Sequence, residues 1–184
     1  ESVCKAGAGT VDAVVDLQEK QVTVTGNAPV DVLKKAIVDA GYEVAGLYLD
    51  TKNTDNDVPV EVTDAENEND DIKSAFQGAQ SYGVKLYKFG CSKIFDELVK
   101  EDFVREYSNG RTPNPCIICN RLVKFASLIK CADILGFDFI ATGHYAKIGR
   151  FSETGRYYIQ MGDDERKEQS YMLWNLTQEQ LSRI

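Results

Sequence analysis

Three times along this chain a run of apolar residues at helical spacing ends on a glycine and is followed at once by a short apolar, β-rich run. Val30–Ala40 carries Val32, Leu33, Ala36, Ile37 and Ala40 on one face, stops at Gly41, and leads into Val44–Leu49. Ile72–Tyr82 stops at Gly83 before Val84–Phe89, and Asn120–Leu135 stops at Gly136 before Phe137–Ala141. Glycine suits the left-handed residue that closes a helix, so each boundary reads as helix end, turn and strand start. Ile94–Tyr107 adds a further amphipathic helix, stopped by Ser108-Asn109-Gly110. Strands alternating with helices predict an α/β fold with a doubly wound parallel sheet. Ligands of such sheets bind beyond the carboxyl ends of the strands. The segments after Leu49, after Phe89, and Thr142–Tyr145 are therefore the places to look for a site.

The front and the middle read differently. Val11–Asp16 and Gln21–Thr25 alternate and are β-branched, which predicts a hairpin. Asp50–Asp71 holds nine acidic residues and one lysine, which predicts a long solvated loop. Residues 1–71 carry 5 Lys/Arg against 16 Asp/Glu, whereas residues 72–184 carry 16 against 13, so a polyanion would meet the back of the chain. Arg156–Met161 reads as a further strand, and Glu168–Leu176 and Gln178–Ile184 as short helices. No apolar run reaches the roughly 18 residues that span a bilayer, and no signal-peptide pattern opens the chain. Five cysteines at irregular spacing argue against a secreted disulfide framework and for a reducing compartment, the cytoplasm by default, with no membrane partner.

One cysteine pair stands apart. Cys116 and Cys119 form a C-x-x-C at a helix start, stiffened by Pro113 and Pro115. Unpaired backbone N–H groups there, with Arg121 and Lys124, would favour thiolate over thiol. A thiolate can attack, form a disulfide or bind a soft metal, and incidental loop cysteines are the alternative. Cys131 falls inside a helical pattern, and Cys4 and Cys91 stand alone as structural residues. His144, the only histidine, lies at the expected ligand edge, where Gly143 permits close backbone approach. Lys167-Glu168-Gln169-Ser170 reads from the residues as a solvated helix end. Neither G-x-x-x-x-G-K-[ST] nor G-x-G-x-x-G occurs.

Three segments taken together resemble a known family. TPNPCIICNRLVKF (Thr112–Phe125), ATGHYAKI (Ala141–Ile148) and KEQSYMLWNLTQEQLSRI (Lys167–Ile184) follow one another as in tRNA-specific 2-thiouridylases of the MnmA type. GYEVAGLYLD (Gly41–Asp50) and REYSNGRTPNPC (Arg105–Cys116) extend the resemblance over residues 41–184. It implies an adenine nucleotide alpha hydrolase-like fold, use of ATP, and sulfur transfer to uridine C2 of tRNA. By this resemblance Cys119 matches the first catalytic cysteine and Gly143 a nucleotide-contacting glycine. Asn114, Pro115 and Cys116 match the stretch against the target base, and Lys167, Glu168 and Gln169 a tRNA-contacting K-D-Q with Glu in place of Asp. A sulfur-carrier protein or a cysteine desulfurase relay is the implied sulfur source. An iron–sulfur cluster through Cys116 and Cys119 is a further implied cofactor, one that needs a third cysteine. The family's S-G-G-x-D-S pyrophosphate loop is replaced here by VTVTGNAPVDVLKK (Val22–Lys35), in which only Val30-Asp31 echoes it. No counterpart of the second catalytic cysteine occurs up to Ile184.

The front resembles another family. Val11–Val44 is similar to the last three elements of a heavy-metal-associated, ferredoxin-like domain, without that domain's C-x-x-C. The resemblances thus divide the chain into a partial heavy-metal-associated segment at 1–40, a hairpin plus helix, and an incomplete thiouridylase-like domain at 41–184. Three functions follow: ATP-dependent tRNA thiolation by an incomplete or inactive enzyme; a non-catalytic remnant that binds tRNA or a sulfur carrier; and a heavy-metal-binding module.

Overall fold

In a computed structural model the described residues are 2–3, 10–16, 21–26, 37–38, 41–52 and 55–184, the first three of these stretches by backbone alone. The chain divides into two compact units, Glu1–Gly46 with Glu61–Tyr87, and Leu47–Val60 with Lys88–Ile184. Most of the predicted helix Val30–Ala40 and the segment around Pro29 lie outside the described residues, although Ile37–Val38 is helical.

In the first unit the hairpin expected from β-branched alternation is present. Strands β2 (Thr10–Asp16) and β3 (Gln21–Gly26) pair antiparallel from Asp16↔Gln21 to Thr10↔Gly26, and β1 (Ser2–Val3) lies along the other side of β2. The ferredoxin-like continuation rests on residues outside those described. Helix α1 (Asp70–Ser81) starts two residues before its apolar pattern. Asn69 accepts the Ile72 N–H at 3.0 Å, and Asp70 and Asp71 lie in the first turn, where the helix dipole favours negative charge. Ile72 and Ala79, one heptad apart, form its buried face. Gly83, at φ +58°, ends the helix and releases the chain into β6 (Lys85–Gly90).

Strand β6 is the centre of a three-stranded sheet ordered β4-β6-β5, with β4 at Ala45–Asp50 and β5 at Val60–Glu61. The Cys91 N–H donates to the Asp50 carbonyl at 2.8 Å, which sets the carboxyl ends of β4 and β6 side by side, as in a βαβ unit. The third strand corrects two expectations. Asn56 N–H donates to Gly90 O and Val62 N–H to Leu86 O, so this segment runs antiparallel to β6, and the sheet is mixed rather than wholly parallel. The acidic segment is thus not simply a solvated loop. It forms an edge strand, buries Val62, Ala65 and the Asp50 carboxylate, and exposes most of its other charges. An antiparallel edge on a parallel sheet needs only one buried face, which explains why so few apolar residues suffice.

In the second unit, helix α2 (Ser92–Phe95), a π turn (Asp96–Lys100) and α3 (Glu101–Ser108) follow one another without a break. So do α4 (Pro115–Ile118), a second π turn (Cys119–Lys124) and α5 (Phe125–Leu135), which closes on left-handed Gly136 at φ +80°. The second helix begins earlier than its apolar pattern, because Pro115 occupies the first helical position, where its missing N–H costs nothing. Helix α5 and its π turn are apolar on two sides. Cys119, Val123 and Cys131 pack with Phe89, Cys91 and Val99; Phe125 and Ala132 pack with Ile140, Leu173, Leu176 and Leu181.

Two more expectations are corrected here, and one strand appears that the sequence reading did not include. Phe137–Ala141 is not a strand in the described structure, and the chain bends at Asp138. Its ends are held instead by Arg183, whose carbonyl accepts the Ile140 N–H at 2.7 Å and whose guanidinium reaches the carbonyls of Phe137 and Asp138. Ala146–Arg150, which carries Gly and Lys, is strand β7, paired with β8 (Tyr157–Met161). Gly149 faces Tyr158 in that register, and an added Cβ would lie 2.5 Å from the Tyr158 ring, so a side chain there would displace that ring. Glu168–Leu176 is no α-helix: a tight turn at Glu165–Lys167 precedes it and another at Ser170–Met172 lies within it, before helix α6 (Gln178–Leu181).

Candidate functional site

The C-x-x-C segment starts at Asn114, whose side chain makes no cap hydrogen bond and is exposed. Pro115 sets the first helical residue, Cys116 points to solvent, and Cys119 is buried at the start of the π turn. Single-turn π distortions recur at functional sites because the extra residue re-aims the side chains around it. Here the turn sends Cys119, Asn120 and Val123 inward together.

The expected thiolate is opposed at Cys119. Burial pushes its thiol up, Lys124 offsets part of this, and the neighbouring Cys116 raises it further. Cys91 and Cys131 share the same apolar cluster and are pushed up to about 11, by burial first. Cys91 therefore does not stand alone, as the sequence suggested. It lies with the C-x-x-C, and only the order of the chain concealed this.

Side-chain hydrogen bonds tie the π turn to the C-terminal segment. Asn120 Nδ2 donates to the Met172 carbonyl at 3.0 Å, and Arg121 Nη1 to Asn175 Oδ1 at 3.0 Å. Gln180 Nε2 donates to the Arg121 carbonyl at 2.8 Å. Asn120 is 2 % exposed, and its Oδ1 has no hydrogen-bond partner. Apart from Arg121, these residues were not singled out from the sequence. The one signal for them is a polar Asn among the inward positions of an otherwise apolar helix.

The third motif segment joins the same assembly. His144 stacks on Phe125, ring centroids 5.7 Å apart, and its Nδ1 pairs with Thr142 Oγ1 at 2.8 Å. Burial, helped by Lys124, holds its pKa below the usual histidine value, so His144 stays neutral near pH 7. Gly143 is exposed, and a Cβ there would meet nothing within 4 Å, so its neighbourhood leaves room for a ligand.

Of the remaining site residues, Gln169 exchanges two hydrogen bonds with Tyr145: its N–H donates to the Tyr145 carbonyl and its Oε1 accepts the Tyr145 N–H, both at 3.0 Å. Glu168 accepts the Ser170 N–H at 2.6 Å, and the Ser170 hydroxyl first, then this N–H, hold its carboxyl below the usual range. Lys167 lies over the Tyr145 ring, 5.0 Å from the centroid, and is exposed. The structure thus brings TPNPCIICNR, ATGHY and KEQS into one connected surface. Gln169 and Glu168 shape the loops there, and Lys167 and Cys116 face outward.

An iron–sulfur cluster does not fit this arrangement. The segment offers one exposed and one buried thiol, and no group of three or more His, Cys, Asp or Glu gathers for a metal among the described residues. A nucleotide is compatible with the open space at Gly143, while the residues matching the pyrophosphate loop lie largely outside the described residues. Cys4, the remaining thiol of the heavy-metal reading, also lies outside them. No helix among the described residues is long and apolar enough to cross a membrane.

Comparison with known proteins places this surface in context. Residues 20–184 match the family model described as the tRNA methyl transferase HUP domain. The tRNA-specific 2-thiouridylase MnmA of Pelotomaculum thermopropionicum is 37% identical over 167 residues, 88% of this chain and 44% of the relative. That of Carboxydothermus hydrogenoformans is 35% identical over 175 residues, 93% of this chain and 47% of the relative. That of Geobacter metallireducens is 49% identical over 115 residues, 62% of this chain and 31% of the relative. The chain spans less than half the length of these relatives.

Proposed function

The chain belongs to the tRNA methyl transferase HUP domain family, with the MnmA-type 2-thiouridylases as its relatives, and on that premise we propose that it is the nucleotide- and tRNA-facing part of an ATP-dependent tRNA 2-thiouridylase. One observation supports this above the others: three segments distant in sequence converge around an exposed and a buried cysteine. A pair of thiols, one exposed and one buried, suits sulfur transfer, since a sulfur nucleophile must be both delivered and resolved.

In this reading Cys119 is the catalytic thiol, and Asn114, Pro115 and Cys116 lie against the target base. Gly143 lies against the nucleotide, and Lys167, Glu168 and Gln169 form the tRNA-facing edge. ATP, when bound, would activate the uridine oxygen as a leaving group. This chain's residues would orient the base and exclude water, and His144, neutral and held by Thr142, would keep the loop at Gly143 in place. tRNA and a sulfur-carrier protein or cysteine desulfurase relay are the partners, and the cytoplasm is the compartment. Residues 1–40 are a heavy-metal-associated-like front in the same reading, although residues 20–40 also fall within the family match.

The test is AMP or pyrophosphate release by the purified chain with ATP, dependent on added tRNA and lost in Cys119→Ser. A melting temperature unmoved by millimolar ATP would rule the active form out. Burial of Cys119 favours a second reading, a non-catalytic module that keeps the tRNA or sulfur-carrier surface. It predicts salt-sensitive tRNA binding without turnover.

A further inference from the structure

Cys116 is the only exposed cysteine among the described residues, while Cys91, Cys119 and Cys131 are buried. Of these four, Cys116 is the one that an electrophilic sulfur arriving from solvent meets first. Both Cys116 and Cys119 have helical backbone, Cys116 within α4 and Cys119 at φ −59°, ψ −46°. Helix rise and radius then put their Cα atoms about 5 Å apart, inside the roughly 4.4–6.8 Å that a disulfide spans. Cys91 and Cys131 are buried in the same apolar cluster as Cys119, away from an incoming donor, and burial pushes them up to about 11. Exposed first thiol and buried second thiol, three residues apart on one helical turn, is the division between an attacking and a resolving cysteine.

We propose that Cys116 and Cys119 are a self-contained attacking and resolving pair for an S–S bond presented by a partner thiol, either a disulfide or a persulfide. In the first step the Cys116 thiolate attacks the donor sulfur. A Cys116 Sγ–S bond forms, the donor S–S bond breaks, and the donor thiolate leaves. In the second step Cys119 gives up its proton and attacks Cys116 Sγ. The Cys116–Cys119 disulfide forms and the bound group departs, as a second thiolate from a disulfide donor or as hydrosulfide from a persulfide donor. The proton ends on a departing sulfur. Two protein thiols are oxidised and one donor S–S bond is reduced; a small thiol reductant returns the pair to its starting state. The proposal deepens the sulfur-transfer reading and rests on it for the identity of the donor. The chemistry itself needs neither ATP nor RNA.

The experiment uses the full chain in a Cys4→Ser background, with glutathione disulfide in one arm and glutathione persulfide in the other, read by intact mass and peptide mapping after alkylation. The expected product in both arms is loss of two hydrogens, mapped to a Cys116–Cys119 link, with hydrogen sulfide released only in the persulfide arm. Cys119→Ser should trap a glutathionyl adduct or a persulfide on Cys116. Cys116→Ser should react with neither donor while folded. A stable adduct on Cys116 of the parent chain would overturn the proposal, as would a link from Cys119 to Cys91 or Cys131, or prior reaction at Cys119. Circular dichroism of each variant separates loss of the pair from loss of the fold. Failure here leaves tRNA-dependent AMP release untouched, and failure of that release leaves this dithiol reaction untouched.

Discussion

At the scale of single residues the site is set by what burial does to ionisable groups. The C-x-x-C, with Arg121 and Lys124 close by in sequence, suggested two activated thiols. In the structure Arg121 reaches Asn175, and only Lys124 offsets the burial of Cys119. The residue types were legible, but their depth was not, because depth depends on what Phe89, Val99 and Val123 pack against. His144 gives a test of the same physics. Its folded pKa is lowered, so between that value and the unfolded value of about 6.5 the unfolded chain binds more protons. Its contribution to stability is therefore full above about pH 6.5 and is lost as the pH falls toward the folded pKa. Urea unfolding midpoints at about pH 7.5 and about pH 5 should show a smaller acid-induced drop in His144→Gln than in the parent. An equal drop would assign the acid sensitivity to other groups.

At the scale of elements the legible features were those whose signals are local. The hairpin β2–β3 and helix α1 follow from alternation and from helical spacing closed by Gly83. Helix α1 also shows where local reading stops short. Asn69, Asp70 and Asp71 look like the tail of an acidic loop, yet they are the cap and first turn of the helix. Asn69→Ala should cost about 1 kcal/mol, read as a lower urea midpoint with an unchanged slope. A change below a few tenths would mean that the turn is held by other contacts. The elements misread are those decided by distant partners. Phe137–Ala141 has strand composition, but Phe137, Asp138 and Ile140 bond to the distant Arg183. The edge strand at Val60–Glu61 has loop composition, but β6 supplies its ladder. The two π turns carry no Gly or Pro to announce them.

At the scale of the whole molecule the question is which charges an RNA would meet. The formal net charge of −8 is set by the front of the chain, and the back is close to balance. Binding of a polyanion must then come from individual outward-facing cations rather than from a general field, because exposed charges more than about 10 Å apart are screened at moderate salt. On the surface that joins the three motif segments, Lys167 and Lys124 are exposed, and Lys124 lies close enough to influence both Cys119 and His144. Lys100, on the π turn Asp96–Lys100 of the same unit, pairs with Asp96 at 2.6 Å and serves as the comparison. Each phosphate that the protein no longer neutralises should lower the slope of log affinity against log salt by about 0.7–0.9. Lys124→Ala and Lys167→Ala are each expected to reduce the tRNA slope by about one such step, and together by about two. Lys100→Ala should leave it within error. Filter binding of unmodified tRNA over a range of potassium chloride concentrations measures the parent and each variant. Equal slopes throughout would remove this surface as the RNA face. A reduced slope only in Lys100→Ala would move that face to the helix carrying the exposed side chains of Ile94, Leu98, Val104 and Tyr107.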